Sequence, residues 1–125
     1  MKVLNKTDFK RKIDLEKELK VITAQIIKKY QPQKIILFGS VADCNINESS
    51  DIDLLIIKEN IPQRKIDRRY ELSKLIDNKY AVDFFIYRSD EIEERLKDED
   101  PFIENIIRNG KIIYVENSSG MVETG

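Results

Sequence analysis

Three aspartates stand at apolar segments where strands are expected, and they are the residues best suited to chemistry. Asp51 and Asp53 open the segment "DIDLLIIK", and Asp83 lies inside "YAVDFFIYR". Because side chains alternate along a strand, Asp51 and Asp53 share one face, and Asp83 joins them if the two strands are neighbours. Carboxylates left unpaired there would repel one another and would each cost several kcal/mol in lost hydration. Mg²⁺ removes that cost, since hard cations take oxygen ligands and leave positions open for phosphates.

A Gly-Ser step shortly before the first two aspartates supplies the second half of such a site. Gly39 and Ser40 follow the apolar run "KIILF". Glycine lets the backbone come close to a ligand, and a helical turn that begins at Ser40 points free N–H groups at an anion. Taken singly, each feature has a plain structural explanation: a turn, a loop boundary or a salt-bridged sheet residue. Their combination, with every member beside an apolar strand, predicts a site for a nucleoside triphosphate.

The composition of the chain excludes several kinds of catalytic and binding site. The chain has 125 residues, of which 41% are apolar and 36% charged, as expected of one soluble globular domain. It contains no histidine, so His-based catalysis and His-bound zinc are excluded, and its net charge of −1 argues against a broad nucleic-acid surface. Because Cys44 is the only cysteine and no apolar run is long enough to span a membrane, we expect a cytoplasmic protein. Cys44 is expected to be a small buried residue rather than a nucleophile.

Hydrophobic periodicity and helix-breaking residues predict a small α/β domain of order αβ(α)βαβαβ. Helices are expected at 7–30, at 63–79, after a cap at Ser89 or Asp90, and from Pro101 to about Asn109. Strands are expected at 34–38, 51–58, 80–88 and 111–115. The second helix is expected to have one side formed by Ile66, Tyr70, Ser73 and Ile76. We assign residues 1–116 to this domain and 117–125 to a disordered polar tail.

The motifs resemble those of the minimal nucleotidyltransferases, which have a DNA-polymerase-β-like fold. "FGS", ten residues, then "DID" is that family's signature, and "VDFFIY" is similar to the strand that carries its third carboxylate. The similarity runs from "KKYQPQKIILFGS" to "DPFIENIIRNGKIIYV", which implies a small mixed β-sheet flanked by helices. The resemblance implies that three carboxylates act in catalysis and bind Mg²⁺, namely Asp51, Asp53 and Asp83. It further implies ATP as the nucleotide donor, with Gly39 and Ser40 on its phosphates and Ser50 as a further cofactor-binding residue.

The same resemblance implies a protein partner. Stand-alone domains of this family commonly pair with a helical HEPN-domain toxin and act as its antitoxin, and some transfer AMP from ATP to a tyrosine of that toxin. Two alternatives stay open: an antitoxin of weak activity that neutralises its toxin by binding, and a small-molecule transferase like those that modify aminoglycosides. The second alternative is less favoured because the chain has no length for extra substrate-binding structure.

One position departs from the family pattern. Where x-Ala-Arg-Gly usually follows Gly-Ser, this chain has Val41, Ala42, Asp43 and Cys44. An acidic side chain near the expected phosphates would weaken triphosphate binding by like-charge repulsion. Four basic residues are candidates to replace the missing arginine, although they are equally well explained as solvated helix charges: Lys34, Arg64, Arg68 and Arg69.

Overall fold

The computed structural model describes residues 6–39, 42, 52–78 and 81–117. Helix α1 spans Lys6–Gln25 and continues as a π-helical turn over Ile26–Tyr30. The following elements are β1 (Lys34–Phe38), β2 (Ile52–Ile57), α2 (Lys65–Ser73), β3 (Val82–Tyr87), α3 (Ser89–Lys97), α4 (Pro101–Asn109) and β4 (Lys111–Val115). The bounds of β1, α4 and β4 are those predicted from the sequence. The tail beyond residue 117 lies outside the described residues.

The four strands form one mixed sheet in the order β3-β2-β1-β4. β1 runs antiparallel to both of its neighbours, β2 and β4, whereas β2 and β3 are parallel. The parallel pair requires a crossover, and α2 lies in that connection. β2 is flanked on both sides, and all of its residues are buried except Asp53, which is half-buried. The predicted mixed sheet flanked by helices is confirmed.

Among the described residues, two helices pack on each face of the sheet. On the first face, alternate β2 residues such as Ile52 and Leu54 pack in one cluster with Ile22 of α1 and Leu72 of α2. On the second face, Leu55 and Ile57 pack with Tyr87, Ile92 of α3 and Ile106 of α4. By strand alternation, Asp53 lies on the second face with Leu55, and Asp83 lies there with Phe85 and Tyr87. Asp53 and Asp83 therefore belong to the face that α3 and α4 cover.

Helix α2 is shorter than predicted, and the side it buries carries a charged residue. It ends at Ser73 rather than near 79, and its buried residues are Arg68 and Leu72. Ile66 and Tyr70, which were expected along one side of the helix, are 62% and 64% exposed. Helix α2 therefore turns the charged Arg68 toward the core and leaves these two apolar side chains in solvent.

The buried charge is the guanidinium of Arg68, which is only 1% exposed. It donates to both carboxylate oxygens of Glu91 on α3, at 2.9 and 3.0 Å. It also donates to the carbonyls of Ile86 (2.9 Å), Pro62 (2.6 Å) and Gln63 (3.2 Å). These bonds satisfy a charge that would otherwise be costly to bury, and they tie the start of α2 to β3 and α3.

The start of α3 also differs from expectation. The helix begins at Ser89 with Arg88 in the capping position, so neither Ser89 nor Asp90 is the cap. Carboxylates accept the free N–H groups instead: Arg88 N donates to Glu91 Oε1 at 2.9 Å, and Ser89 N donates to Glu59 Oε2 at 3.0 Å. Glu59 precedes α2 in the chain, so local spacing does not reveal this contact. In the described part of the chain, no helix is both long and apolar enough to cross a membrane.

Candidate active site

Two of the three predicted carboxylates lie side by side at one end of the second face. In the parallel pairing of β2 with β3, Asp53 is the register partner of Asp83. Register partners on adjacent strands are about 5 Å apart, and both side chains leave the same face. Asp53 is half-buried and Asp83, on the edge strand β3, is exposed. The structure thus brings these two carboxylates together, while their roles in metal binding and catalysis stay predictions.

Gly39 packs against Asp53 on the side away from Asp83. It follows Phe38, the residue of β1 that pairs with Asp53, and its φ of +82° lies in the left-handed region that favours glycine. A Cβ at this position would overlap the Oδ2 atom of Asp53 and lie 3.2 Å from its Cγ. The backbone therefore passes directly against the carboxylate, and only glycine fits there.

The remaining predicted site residues lie outside the described residues: Ser40, Ser50 and Asp51. Asp43 and Cys44 do so as well, whereas Ala42 is described and buried. Within the described ranges, no group of three or more His, Cys, Asp or Glu residues could hold a metal ion. Asp53 and Asp83 supply two hard oxygen donors, which are the kind of ligand that Mg²⁺ takes, so the donors fit this ion.

An aromatic cluster supports the carboxylate end of the face. The rings of Phe38, Phe85 and Phe102 have centroids 5.3 to 5.7 Å apart, in tilted or edge-on contact. Phe38 is the neighbour of Asp53 across the sheet, and Phe85 follows Asp83 by two residues on the same face. Phe102 comes from the first turn of α4, where Asp100 accepts its N–H at 2.9 Å. Sequence reasoning missed this cluster, although the alternation of β1 and β3 places two of its members on the second face.

Two grooves flank this cluster, one on each side. The Gly39 groove, about 430 Å³, is lined by Phe38, Gly39 and Phe102 and by the amide side chains of Asn105 and Asn109 on α4. The β3 groove, about 210 Å³, is lined by Phe85, Tyr87 and Phe102 together with Lys65 and Arg69 of α2. The polar groups therefore differ in kind: neutral amides lie on the Gly39 side, and cations lie on the β3 side.

The four basic residues considered as substitutes for the missing arginine have different surroundings. Arg68 is buried against Glu91, so it is neither a phosphate ligand nor a solvated charge, and both predictions for it were wrong. Arg64 is exposed and pairs with Asp67 at 2.9 Å, which lowers the pKa of that carboxyl. Lys34 begins β1, at the end of that strand opposite Gly39. Arg69 is the member of this group that lines a groove containing Asp83.

Comparisons of the sequence with known proteins identify a family and a relative. Residues 20–119 match the family model described as "Polymerase beta, Nucleotidyltransferase". A Methanocaldococcus jannaschii protein, "Putative protein adenylyltransferase MJ1305", is 37% identical over 83 residues. That alignment covers 64% of this chain and 56% of the relative, so the chain spans about half the relative's length.

A solved structure supports the fold. A Sulfolobus solfataricus protein provisionally described as a nucleotidyltransferase superposes with a TM-score of 0.64 at 20% identity. The superposition covers 96% of this chain and 97% of the other, so the two share the whole fold. With a family match that includes β1 to β4, the aspartates at 53 and 83 and the glycine at 39, this chain belongs to the polymerase-β nucleotidyltransferase family.

Proposed function

We propose that this chain is a Mg²⁺-dependent nucleotidyltransferase that moves AMP from ATP to a hydroxyl group of a partner protein. The observation that carries the proposal is the Asp53–Asp83 pair, in register on parallel strands, with the Gly39 backbone packed against Asp53. The family match supports nucleotidyl transfer, and the name of the Methanocaldococcus relative, which refers to protein adenylylation, supports a protein acceptor.

The two sides of the carboxylate pair suit different substrates. The Gly39 groove offers about 430 Å³ next to the glycine on which the phosphates are expected, so we assign ATP to this side. Asp83 is exposed on an edge strand, so an incoming hydroxyl can reach it. When bound by Asp51, Asp53 and Asp83, Mg²⁺ would supply positive charge that offsets the charge of the triphosphate.

The proposed reaction is a single displacement at the α-phosphorus of ATP. The acceptor oxygen forms a bond to this phosphorus as the bond to the β-phosphate oxygen breaks, and pyrophosphate leaves with that electron pair. Asp83 takes the proton of the acceptor hydroxyl, a role that needs a carboxylate within hydrogen-bond reach of the acceptor. Asp53, which is more buried and lies against Gly39, is assigned to the side of the site that binds ATP.

The partner we propose is a HEPN-domain toxin, modified on a tyrosine, which makes this chain its antitoxin. Support comes from the resemblance of the motifs to stand-alone domains with such partners. A second candidate is an antitoxin that acts by binding with little turnover. The acidic Asp43, at a position where the family commonly has a basic residue, favours this second function.

The test is to incubate the chain with Mg²⁺, ATP labelled at the α-phosphate, and the protein encoded beside it. We expect label on the partner, lost in Asp53→Asn and kept in the control Glu16→Gln, which changes an exposed carboxylate of α1. Peptide mass spectrometry should then locate AMP on a tyrosine. An unlabelled partner that still binds the chain and loses its toxicity would establish the binding function instead.

A further inference from the structure

Helix α2 presents an unusual surface to solvent. Five of its exposed residues form a continuous strip, because each lies three or four positions from another member: Lys65, Ile66, Arg69, Tyr70 and Ser73, which we call the α2 strip. Ile66 and Tyr70 are more than 60% exposed, although large apolar side chains favour burial. The buried residues of the helix are Arg68 and Leu72, so Ile66 and Tyr70 face solvent rather than the interior.

The α2 strip leads to Asp83. Ile66, Arg69, Tyr70 and Ser73 line a groove of about 460 Å³ whose other wall includes Asp83. Lys65 and Arg69 also line the β3 groove beside Phe85 and Tyr87. The strip therefore borders the carboxylate that, in the proposed function, takes the proton of the acceptor.

The two cations of the strip, Lys65 and Arg69, differ from the neighbouring basic residues in their pairing. Among the described residues, neither Lys65 nor Arg69 forms an ion pair, whereas the neighbouring Arg64 and Arg68 each have one. Lys65 Nζ lies 3.3 Å from the hydroxyl of Tyr87 and 4.8 Å from the centre of its ring. The exposed carboxylate of α2, Glu71, lines neither groove. Apart from Asp83 itself, the described walls of both grooves carry no negative charge.

The position of these cations fits the acceptor better than the triphosphate. Gly39 follows β1, and β2 separates β1 from β3, so Gly39 and the β3 strand are about 10 Å apart across the sheet. Helix α2 contacts β3 more extensively than it contacts β1 or β2. A triphosphate held at Gly39 would therefore lie on the far side of the carboxylates from Lys65 and Arg69.

We propose that the α2 strip docks the acceptor protein through a segment in which the accepting hydroxyl is flanked by carboxylates and by a bulky apolar side chain. Lys65 and Arg69 attract the carboxylates, and Ile66 and Tyr70 pack against the apolar side chain, which brings the hydroxyl to Asp83. This inference rests on the proposed function, since it identifies the chemistry of the acceptor for the same site.

The test uses two fluorescent tyrosine peptides, one flanked by glutamates and leucine and the other by lysines and leucine. Binding to the full chain is followed by fluorescence anisotropy without ATP or Mg²⁺, so the result does not depend on catalysis. We expect the glutamate peptide to bind at least tenfold more tightly than the lysine peptide. Arg69→Glu should remove this preference, and Tyr70→Ala should weaken both peptides severalfold.

Two controls make the result decisive. Lys111→Glu reverses an exposed charge on β4, at the opposite edge of the sheet, and should leave peptide binding within twofold of wild type. Binding of ATP with Mg²⁺ should also change less than twofold in Arg69→Glu. No peptide binding, equal binding of both peptides, or a tenfold loss of ATP binding in Arg69→Glu would each overturn the assignment. A failure of AMP transfer with intact, Arg69-dependent peptide binding would instead count against the proposed function.

Discussion

Replacing Gly39 by alanine should disrupt the site far more than it disrupts the fold. The residue has φ +82°, and an added Cβ would overlap Asp53 Oδ2. Holding a non-glycine residue in the left-handed region costs about 1–2 kcal/mol. The overlap is relieved only if the Asp53 side chain or the residue 39 backbone moves. We therefore expect a loss of about 1–3 kcal/mol in unfolding free energy, which a typical domain of this size survives.

The effect on AMP transfer should be larger than that stability loss implies. A carboxylate displaced by about 1 Å can reduce the rate of a positioned reaction about 100-fold. The matched control is Gly110→Ala, at φ values open to any residue, where a Cβ would meet Ile106 O at 2.5 Å and Ile36 Cγ2 at 2.6 Å. This control strains the packing of α4 on β1 and borders the same Gly39 groove, but it does not touch Asp53, so the comparison isolates the overlap with that carboxylate.

The assay combines urea unfolding with label transfer at a temperature where both variants are folded. We expect similar losses of stability in the two variants, with transfer falling about 100-fold in Gly39→Ala and only a few-fold in Gly110→Ala. If Gly39→Ala transfers AMP as well as Gly110→Ala does, the close approach of Gly39 to Asp53 has no catalytic role.

Three further predictions concern single carboxylates. Burial raises the pKa of Glu91, but hydrogen bonds from Arg68 and from the Arg88 backbone outweigh it and hold this pKa below the usual 4.5. The ionised Glu91 therefore stabilises the fold above pH 4.5, and this stabilisation is lost as pH falls through the lowered pKa. Glu91→Gln should reduce the free energy of unfolding by about 3 kcal/mol at pH 7 and should flatten the acid limb of urea unfolding. An unchanged acid limb would contradict this prediction. Asp43→Arg should tighten ATP binding severalfold, on the order of 1 kcal/mol, and calorimetry showing equal or weaker binding would mean that position 43 does not face the phosphates. Asp83→Ala should bind ATP almost normally yet transfer no AMP, and residual transfer would rule out Asp83 as the proton acceptor.

Much of the sheet could be predicted from local sequence signals. The strands at 34–38 and 111–115 are short apolar runs bounded by proline or glycine, and their bounds agree with the structure. The helix between the second and third strands indicates a crossover, which is consistent with the observed parallel pairing of β2 with β3. Alternation along these strands then places Asp53 and Asp83 on one face. Nothing local places β1 between β2 and β4, because strand order depends on contacts between distant parts of the chain.

The errors in α2 and α3 have one physical origin. Arg68 is buried because Glu91, 23 residues later, supplies both of its carboxylate oxygens. The same Glu91, together with Glu59, accepts the first N–H groups of α3 in place of the expected serine or aspartate cap. Periodicity assigns each helix its own apolar side and its own cap, so it cannot detect a polar group that is satisfied by another element. The exposure of Ile66 and Tyr70, and with it the α2 strip, follows from that inward turn of Arg68.

Mn²⁺ binding tests most directly whether the Asp53–Asp83 pair is the metal and nucleotide site. The binding is measured by electron paramagnetic resonance in the presence of a non-hydrolysable ATP analogue. Mn²⁺ takes the oxygen ligands that Mg²⁺ takes and reports its own binding. We expect the wild type and Glu16→Gln to bind Mn²⁺ in a nucleotide-dependent manner, and Asp53→Asn to bind it at least tenfold more weakly. Equal Mn²⁺ affinity in Asp53→Asn and wild type would show that the metal lies elsewhere and would contradict the proposed site.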